Sequence, residues 1–305
     1  MRKNRTYHLA ELLYKSVKSV VSKTQGGLYI YTMQLPCICT YVWLVVTEIC
    51  MVSVTSRNVP KFGTEKEQKM KTIAIANLKG GCGKSTSSVN LAYSLMSLGK
   101  KILLIDLDPQ CNSTRFFTKV NGTGKTVQNV LANPKSINQC IYRTKYKNID
   151  IIRGLAKEND TGEYQLKNAF ENLKKEYDYC IIDTRPVFDC LTKNAIHVAD
   201  IMLTPIKFDN YCRDNLALVE NFVNEYADEK MEWKIFANMV ANGKAQRDAM
   251  IDLIGKHDYP IMDTCISRSA VVDNALNLYK PVLKHRKNSN VAQDYLELAK
   301  ELLEA

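Results

Sequence analysis

Lys79-Gly80-Gly81-Cys82-Gly83-Lys84-Ser85-Thr86 is the stretch that decides the fold. Before it runs Thr72-Ile73-Ala74-Ile75-Ala76-Asn77, an apolar run of strand length. After it, Ser87 to Leu98 sets Val89, Leu91, Ala92, Leu95, Met96 and Leu98 mostly on one helical face. Strand, glycine turn and helix form the setting in which such a string becomes a phosphate loop. Glycines let the chain bend until several N–H groups point at one anion, and the helix N-terminus adds about half a positive charge. In that geometry Lys84 reaches the terminal phosphates and Ser85 offers its hydroxyl to Mg²⁺. The competing reading, a Gly/Lys-rich surface turn, leaves the flanks unexplained. One departure stands out: the position that carries the first glycine of the common loop is Leu78, and an extra lysine, Lys79, precedes the double glycine.

Two later strands carry carboxylates. Lys101-Ile102-Leu103-Leu104-Ile105 runs into Asp106-Leu107-Asp108-Pro109-Gln110, and strand alternation puts Asp106 and Asp108 on one side. Such a pair beside a phosphate loop suits the water shell of Mg²⁺ and an attacking water, although a plain Asp-Pro turn would read the same way in isolation. Tyr177 to Thr184 is an apolar strand ending in Asp183, a Walker B arrangement that points Asp183 at Mg²⁺ through water. Thr126 reads as the cap of a short helix to Leu131. Further strands are expected at 148–153, 199–205, 231–240 and 260–265, with helices at 162–175, 211–226, 245–256, from about 270, and 290–303. Strands alternating with helices imply an α/β fold: a three-layer, mostly parallel twisted sheet covered by helices on both faces. A nucleotide then belongs at the carboxyl ends of the strands.

The chain has 305 residues and is 46 % hydrophobic, enough for one large α/β domain plus an appendage. Ten cysteines form no CxxC pair and no Cys/His metal spacing, which speaks for free thiols in a reducing cytoplasm. The net charge is +10, but residues 1–70 hold 10 Lys+Arg against 4 Asp+Glu, leaving 32 against 28 elsewhere. Any nucleic-acid surface in residues 70–305 must therefore be a local patch. Residues 1–69 read differently from the rest. His8 to Ser22 suits a basic amphipathic helix, and Cys37 to Val54 is an apolar run interrupted by Glu48. Three explanations compete: an upstream frame read from a misassigned start, a poorly ordered extension, or a membrane anchor or partner arm. The domain division is a 1–69 extension and a 70–305 phosphate-loop domain.

With Lys79 ahead of Gly80-Gly81, the loop is the deviant Walker A form. The chain thereby resembles the ParA/MinD superfamily, and through Asp106 to Thr114 and the closing helix it resembles the ParA/Soj partition ATPases over residues 70–305. The resemblance implies ATP and Mg²⁺ between two subunits, with the loop from Lys79 through Gly80, Gly81, Cys82, Gly83, Lys84 and Ser85 to Thr86 around the nucleotide. It also implies that Lys79 crosses to the partner's nucleotide and acts with Lys84 and Asp108 in catalysis. Asp108 positions the hydrolytic water, Ser85, Asp106 and Asp183 serve the metal, and Asn238 meets the adenine. The implied partners are a second copy in ATP, nonspecific double-stranded DNA and a ParB-like centromere-binding protein that stimulates slow hydrolysis. The implied location is cytoplasmic and nucleoid-associated.

DNA contacts are expected from Lys244, Arg247, Arg268, Lys284, Arg286 and Lys287, with Arg115, Arg143 and Lys145 next. Arg185 stands where the family pattern has proline; it either adds charge at the γ-phosphate, contacts the partner subunit or faces solvent. Two alternatives remain open: a MinD-like membrane-cycling ATPase, which the acidic run Asp294 to Ala305 disfavours, and a nucleotide switch with little hydrolysis.

Overall fold

The computed structural model describes residues 70–304 apart from 120–123, 155–161, 210–211, 242 and 257. The expectations for residues 1–69 lie outside the described residues. One eight-stranded sheet organises them: β1 (Lys71–Ile75), β2 (Ile102–Asp106), β3 (Ile141–Arg143), β4 (Ile149–Ile152), β5 (Tyr179–Asp183), β6 (Ile201–Ile206), β7 (Glu232–Val240) and β8 (Ile261–Ser267), in the spatial order β3-β4-β2-β5-β1-β6-β7-β8. All pairs are parallel except β3 with β4. The mostly parallel sheet expected from the alternating pattern is therefore present.

Its cause is visible in the strands themselves. β1, β2, β5 and β6 are buried along nearly their whole length, and both of their faces are apolar. Ile73, Ile75, Ile102, Leu104 and Ile181 join one core; Ala74, Leu103, Ile105 and Ile182 join the other. Period-two alternation with no polar face forces helices onto both sides. The helices are α1 (Lys84–Ser97), α2 (Thr114–Phe117), α3 (Val127–Ala132), α4 (Gln165–Phe170), α5 (Cys190–Ile196), α6 (Cys212–Tyr226), α7 (Lys244–Lys256), α8 (Ala270–Asn277), α9 (Val282–His285) and α10 (Asn290–Glu304). α10 spends its apolar face on the core through Val291, Tyr295, Leu298 and Leu302, packed on α1 and β8. Among the described residues no helix is long and apolar enough to cross a membrane.

Several elements differ from expectation: the short helices α2, α5 and α9 have no counterpart in the sequence reading, and two further cases have a visible cause. The helix expected over 162–175 is helical only from Gln165 to Phe170. Asn138 ends it: its amide donates to Asn172 O at 2.7 Å and its side-chain oxygen accepts Lys174 N–H at 2.9 Å, so tertiary bonds take backbone groups that a further turn would need. The three-residue strand β3 is too short for its periodicity to show in the sequence. Thr126 does cap α3, in a capping box with Asn129.

The chain steps from β1 past β5 to β2, and later resumes on the other side of β1 with β6. β1 thus ends at the point where the strand order reverses, and residues 78–83 follow it.

Candidate nucleotide and metal site

The loop is fastened before it can bind anything. Asn77, at the end of β1, donates to Pro205 O at 2.8 Å while its side-chain oxygen accepts Lys79 N–H at 2.9 Å and Asn215 at 2.8 Å. One amide therefore ties the loop to β6 and α6. Gly83 is the N-cap of α1 at φ +91°, and a Cβ there would meet Asn238 Nδ2 at 2.4 Å. Both the backbone and the space demand glycine.

Lys84 is nearly buried; its ammonium donates to Lys79 O at 3.0 Å, folded over the loop. The Cys82 thiol is also buried and donates to Lys79 O at 3.2 Å. Burial pushes that thiol up despite the opposing Lys84 charge. Around the loop lies a cavity of about 690 Å³ whose walls include Gly80, Gly81, Gly83, Lys84, Ser85, Thr86 and Asp108. Asp108, with an oxygen accepting Gln110 N–H at 2.9 Å, faces the same space as the loop lysine.

Asp106 and Asp183 are the last residues of adjacent strands and stand opposite each other in the β2–β5 register. Neither is exposed. Asp106 accepts Thr114 N–H at 2.9 Å and its hydroxyl at 2.6 Å, and Asp108 N–H at 3.0 Å. Thr114 Oγ1 in turn accepts Gly154 N–H at 2.9 Å. A Cβ on Gly154 would meet Asp106 at 2.9 Å, so this backbone approach needs glycine too. Asp183 accepts the Ser88 hydroxyl at 3.0 Å, while its other oxygen is buried without a hydrogen-bond partner. Burial raises both carboxyls, and the Asp106 charge raises Asp183 further; Ser85, Ser88 and Ser113 oppose it. A dry carboxylate pair beside serine hydroxyls, with one orphaned oxygen, is a donor set of hard oxygens that fits Mg²⁺.

The remaining expected residues fall in several places. Lys79 pairs with Asp209, on the loop after β6, within its own subunit. Asn238 donates to Cys82 O at 2.8 Å and accepts Met239 N–H at 2.9 Å, so its amide braces the loop. It also lines a smaller cavity of about 170 Å³ with Lys207, Met239, Arg268 and Tyr295. Arg268 is exposed beside that cavity; Lys244 is exposed at the start of α7, and the Arg247 side chain lies outside the described set. Lys284, Arg286 and Lys287 are exposed around the end of α9. Thus the phosphate-loop residues converge, whereas the basic candidates occupy three separate elements. Arg115 lines the large cavity, and Lys145 donates to Tyr279 O at 3.4 Å beside it. Sequence reasoning does not single out Asn77, Ser88, Thr114, Gly154 or Asp209. Only Thr114, inside the run Asp106 to Thr114, carries a signal there.

Residues 70–235 match a family model described as an AAA domain. The sporulation initiation inhibitor protein Soj of Bacillus subtilis is 30 % identical over 255 residues, spanning 76 % of this chain and 98 % of its own. The chain belongs to the ParA/Soj family of P-loop ATPases. The chromosome partitioning protein ParA of Myxococcus xanthus is 28 % identical, over 76 % of this chain and 87 % of its own length. A putative plasmid partition protein of Borrelia burgdorferi bound to AMPPNP superposes with a TM-score of 0.64 at 25 % identity, covering 77 % of this chain and 98 % of that one. An ATP complex of Cyanothece McdA shares the fold, with a TM-score of 0.67 at 22 % identity over 76 % and 96 % of the two chains. For this ParA-family chain the site therefore sits on the family's scaffold.

Proposed function

We propose that this ParA-family chain is a slow, Mg²⁺-dependent ATPase whose ATP-bound dimer binds DNA without sequence preference during plasmid or chromosome partition. A ParB-like partner bound to centromere DNA stimulates hydrolysis and ends the DNA-bound state. The work is done in the cytoplasm, on the nucleoid. The observation that carries this reading is the convergence of Lys84 and Asp108 on one cavity next to the buried Asp106–Asp183 pair. Relatives named for partition and for sporulation control supply the cellular role.

The division of labour follows from position. Loop N–H groups from residues 80–85 and the α1 N-terminus hold the phosphates, and Lys84 leaves the Lys79 carbonyl to pair with the terminal ones. Ser85, Asp106 and Asp183 would hold Mg²⁺. When bound, the metal neutralises phosphate charge. Asp108 orients the water from the cavity wall, and no covalent intermediate is needed. Lys79 must leave Asp209 to reach the partner's nucleotide. The exposed Arg268 and the Lys284, Arg286 and Lys287 group offer charge to DNA phosphates.

Phosphate release by the full chain with Mg²⁺ and ATP, with and without duplex DNA, tests the reading, together with Asp108→Ala. The variant should bind ATP like the parent and hydrolyse it at least tenfold more slowly, accumulating dimer. Failure of the parent to bind ATP overturns the proposal. A MinD-like membrane cycle is the second reading. It is disfavoured by α10, whose apolar face is covered by α1 and β8.

A further inference from the structure

Arg185 follows Asp183-Thr184 at the end of β5, where the family pattern places a proline. Its side chain does not run into solvent. It is only 13 % exposed, and it lines the large cavity with Gly81, Lys84 and Asp108. The guanidinium pairs with Asp189, four residues along. Asp189 is fixed in turn, because its other oxygen accepts Thr192 N–H at 3.1 Å as the N-cap of α5. The arginine is therefore held in the cavity wall by a carboxylate that is itself anchored, which removes much of the entropy loss of ordering it on a ligand. A guanidinium is planar, permanently charged and rich in N–H donors, so it can serve a carboxylate and a phosphate together.

The end of the nucleotide it would meet follows from the walls. Arg185 shares its cavity with the phosphate-loop glycines, Lys84 and Asp108, whereas Asn238 and Met239 line the separate smaller cavity. We propose that Arg185 contacts the terminal phosphate of the nucleoside triphosphate bound in its own subunit. It thereby distinguishes triphosphate from diphosphate and stabilises the charge on the transferred phosphoryl group. This rests on the nucleotide reading of the cavity given above.

The test compares affinities of the full chain for AMPPNP and ADP, with Mg²⁺ present, by calorimetry at concentrations where the protein is monomeric. Removing one charge-assisted hydrogen bond to phosphate is worth tenfold or more. Arg185→Ala should weaken AMPPNP at least tenfold and ADP less than threefold, and lower the hydrolysis rate at least tenfold. Arg185→Lys, which keeps charge and bulk but not the fork, should fall between. Asp189→Asn keeps the helix cap but removes the charge that orders the arginine, so AMPPNP should bind more weakly than in the parent, by less than in Arg185→Ala. A purely structural Arg185–Asp189 tie predicts instead that Arg185→Ala and Asp189→Asn lose the same thermal stability and leave the AMPPNP/ADP ratio unchanged; that result overturns the proposal. So does a ratio that changes only at concentrations where the chain dimerises, which would place the arginine on the partner subunit's nucleotide. If the parent binds neither ligand, the nucleotide reading falls and this inference with it. If the parent binds both and the ratio ignores Arg185, only the inference falls.

Discussion

Asparagine at position 183 would keep the shape of the side chain and remove a charge from the driest part of the site. In the absence of metal, Asp183 is fully buried, stands opposite Asp106 in the strand register, and has one oxygen without a partner. Burial, and then the Asp106 charge, raise its carboxyl from the ordinary value of 3.8; burial raises Asp106 as well. The folded protein thus binds these protons more tightly than the unfolded chain. Stability is fully present at low pH and is lost as pH rises from about 4 into the neutral range. Each pH unit inside that window costs at most about 1.4 kcal/mol for each carboxyl that is titrating. From pH 6 to pH 8, after discounting for the shared proton of the pair, the loss is about 2 kcal/mol. For a domain of this size 1 kcal/mol moves the melting temperature by about 2–4 °C. The advantage of Asp183→Asn over the parent should therefore widen by about 4–8 °C between pH 6 and pH 8 in metal-free buffer. Saturating Mg²⁺ and ATP should narrow the gap, since ligand at a hundred times its dissociation constant adds about 2.7 kcal/mol to the parent and much less to the variant. Differential scanning fluorimetry across pH, with EDTA or with Mg²⁺ and ATP, reads both halves. A variant that melts below the parent at pH 8 in EDTA, or a gap that ignores pH, refutes the account of Asp183 as a carboxylate raised by burial and by the Asp106 charge.

Lys84→Ala should reduce Mg²⁺-dependent ATP binding at least a hundredfold, measured by equilibrium dialysis, because the terminal phosphates lose their main side-chain counterpart; retained affinity would contradict its assignment. Asp209→Asn should remove the ion pair that Lys79 makes with Asp209 within the subunit and raise the dimer fraction in ATP, read by sedimentation velocity. An unchanged fraction would show that this ion pair does not restrain dimer formation. Arg286→Glu combined with Lys287→Glu, or Arg268→Glu alone, should weaken ATP-dependent binding to nonspecific duplex, with ATP-dependent dimerisation intact. The salt slope should fall by about one unit for each basic side chain withdrawn from the DNA phosphates. Unchanged DNA affinity in both variants moves the surface toward Arg115, Arg143 and Lys145.

Much of this protein is written locally. The run from Thr72 through Lys84 to Leu98 carries its own strand, turn and helix signals, because apolar period and glycine placement act over a few residues. Asp106 and Asp183 are legible for the same reason: each ends an apolar strand, and a carboxylate there has few structural uses. The two-faced apolar strands also announce a sheet with helices on both sides. What the sequence leaves open depends on residues distant along the chain. No periodicity reveals that Asp106 and Asp183 sit side by side, because it is the strand order that places β5 next to β2. The same holds for Asn238 bracing Cys82, Asn138 ending α4, and Asp209 holding Lys79. These contacts arise once parallel crossovers have brought loops to one edge of the sheet. Arg185 shows the division most plainly. The sequence shows an arginine where proline is expected and leaves three orientations open. Its ion pair with Asp189 is local, but the cavity it lines is tertiary, because only the strand order brings the end of β5 beside Gly81, Lys84 and Asp108.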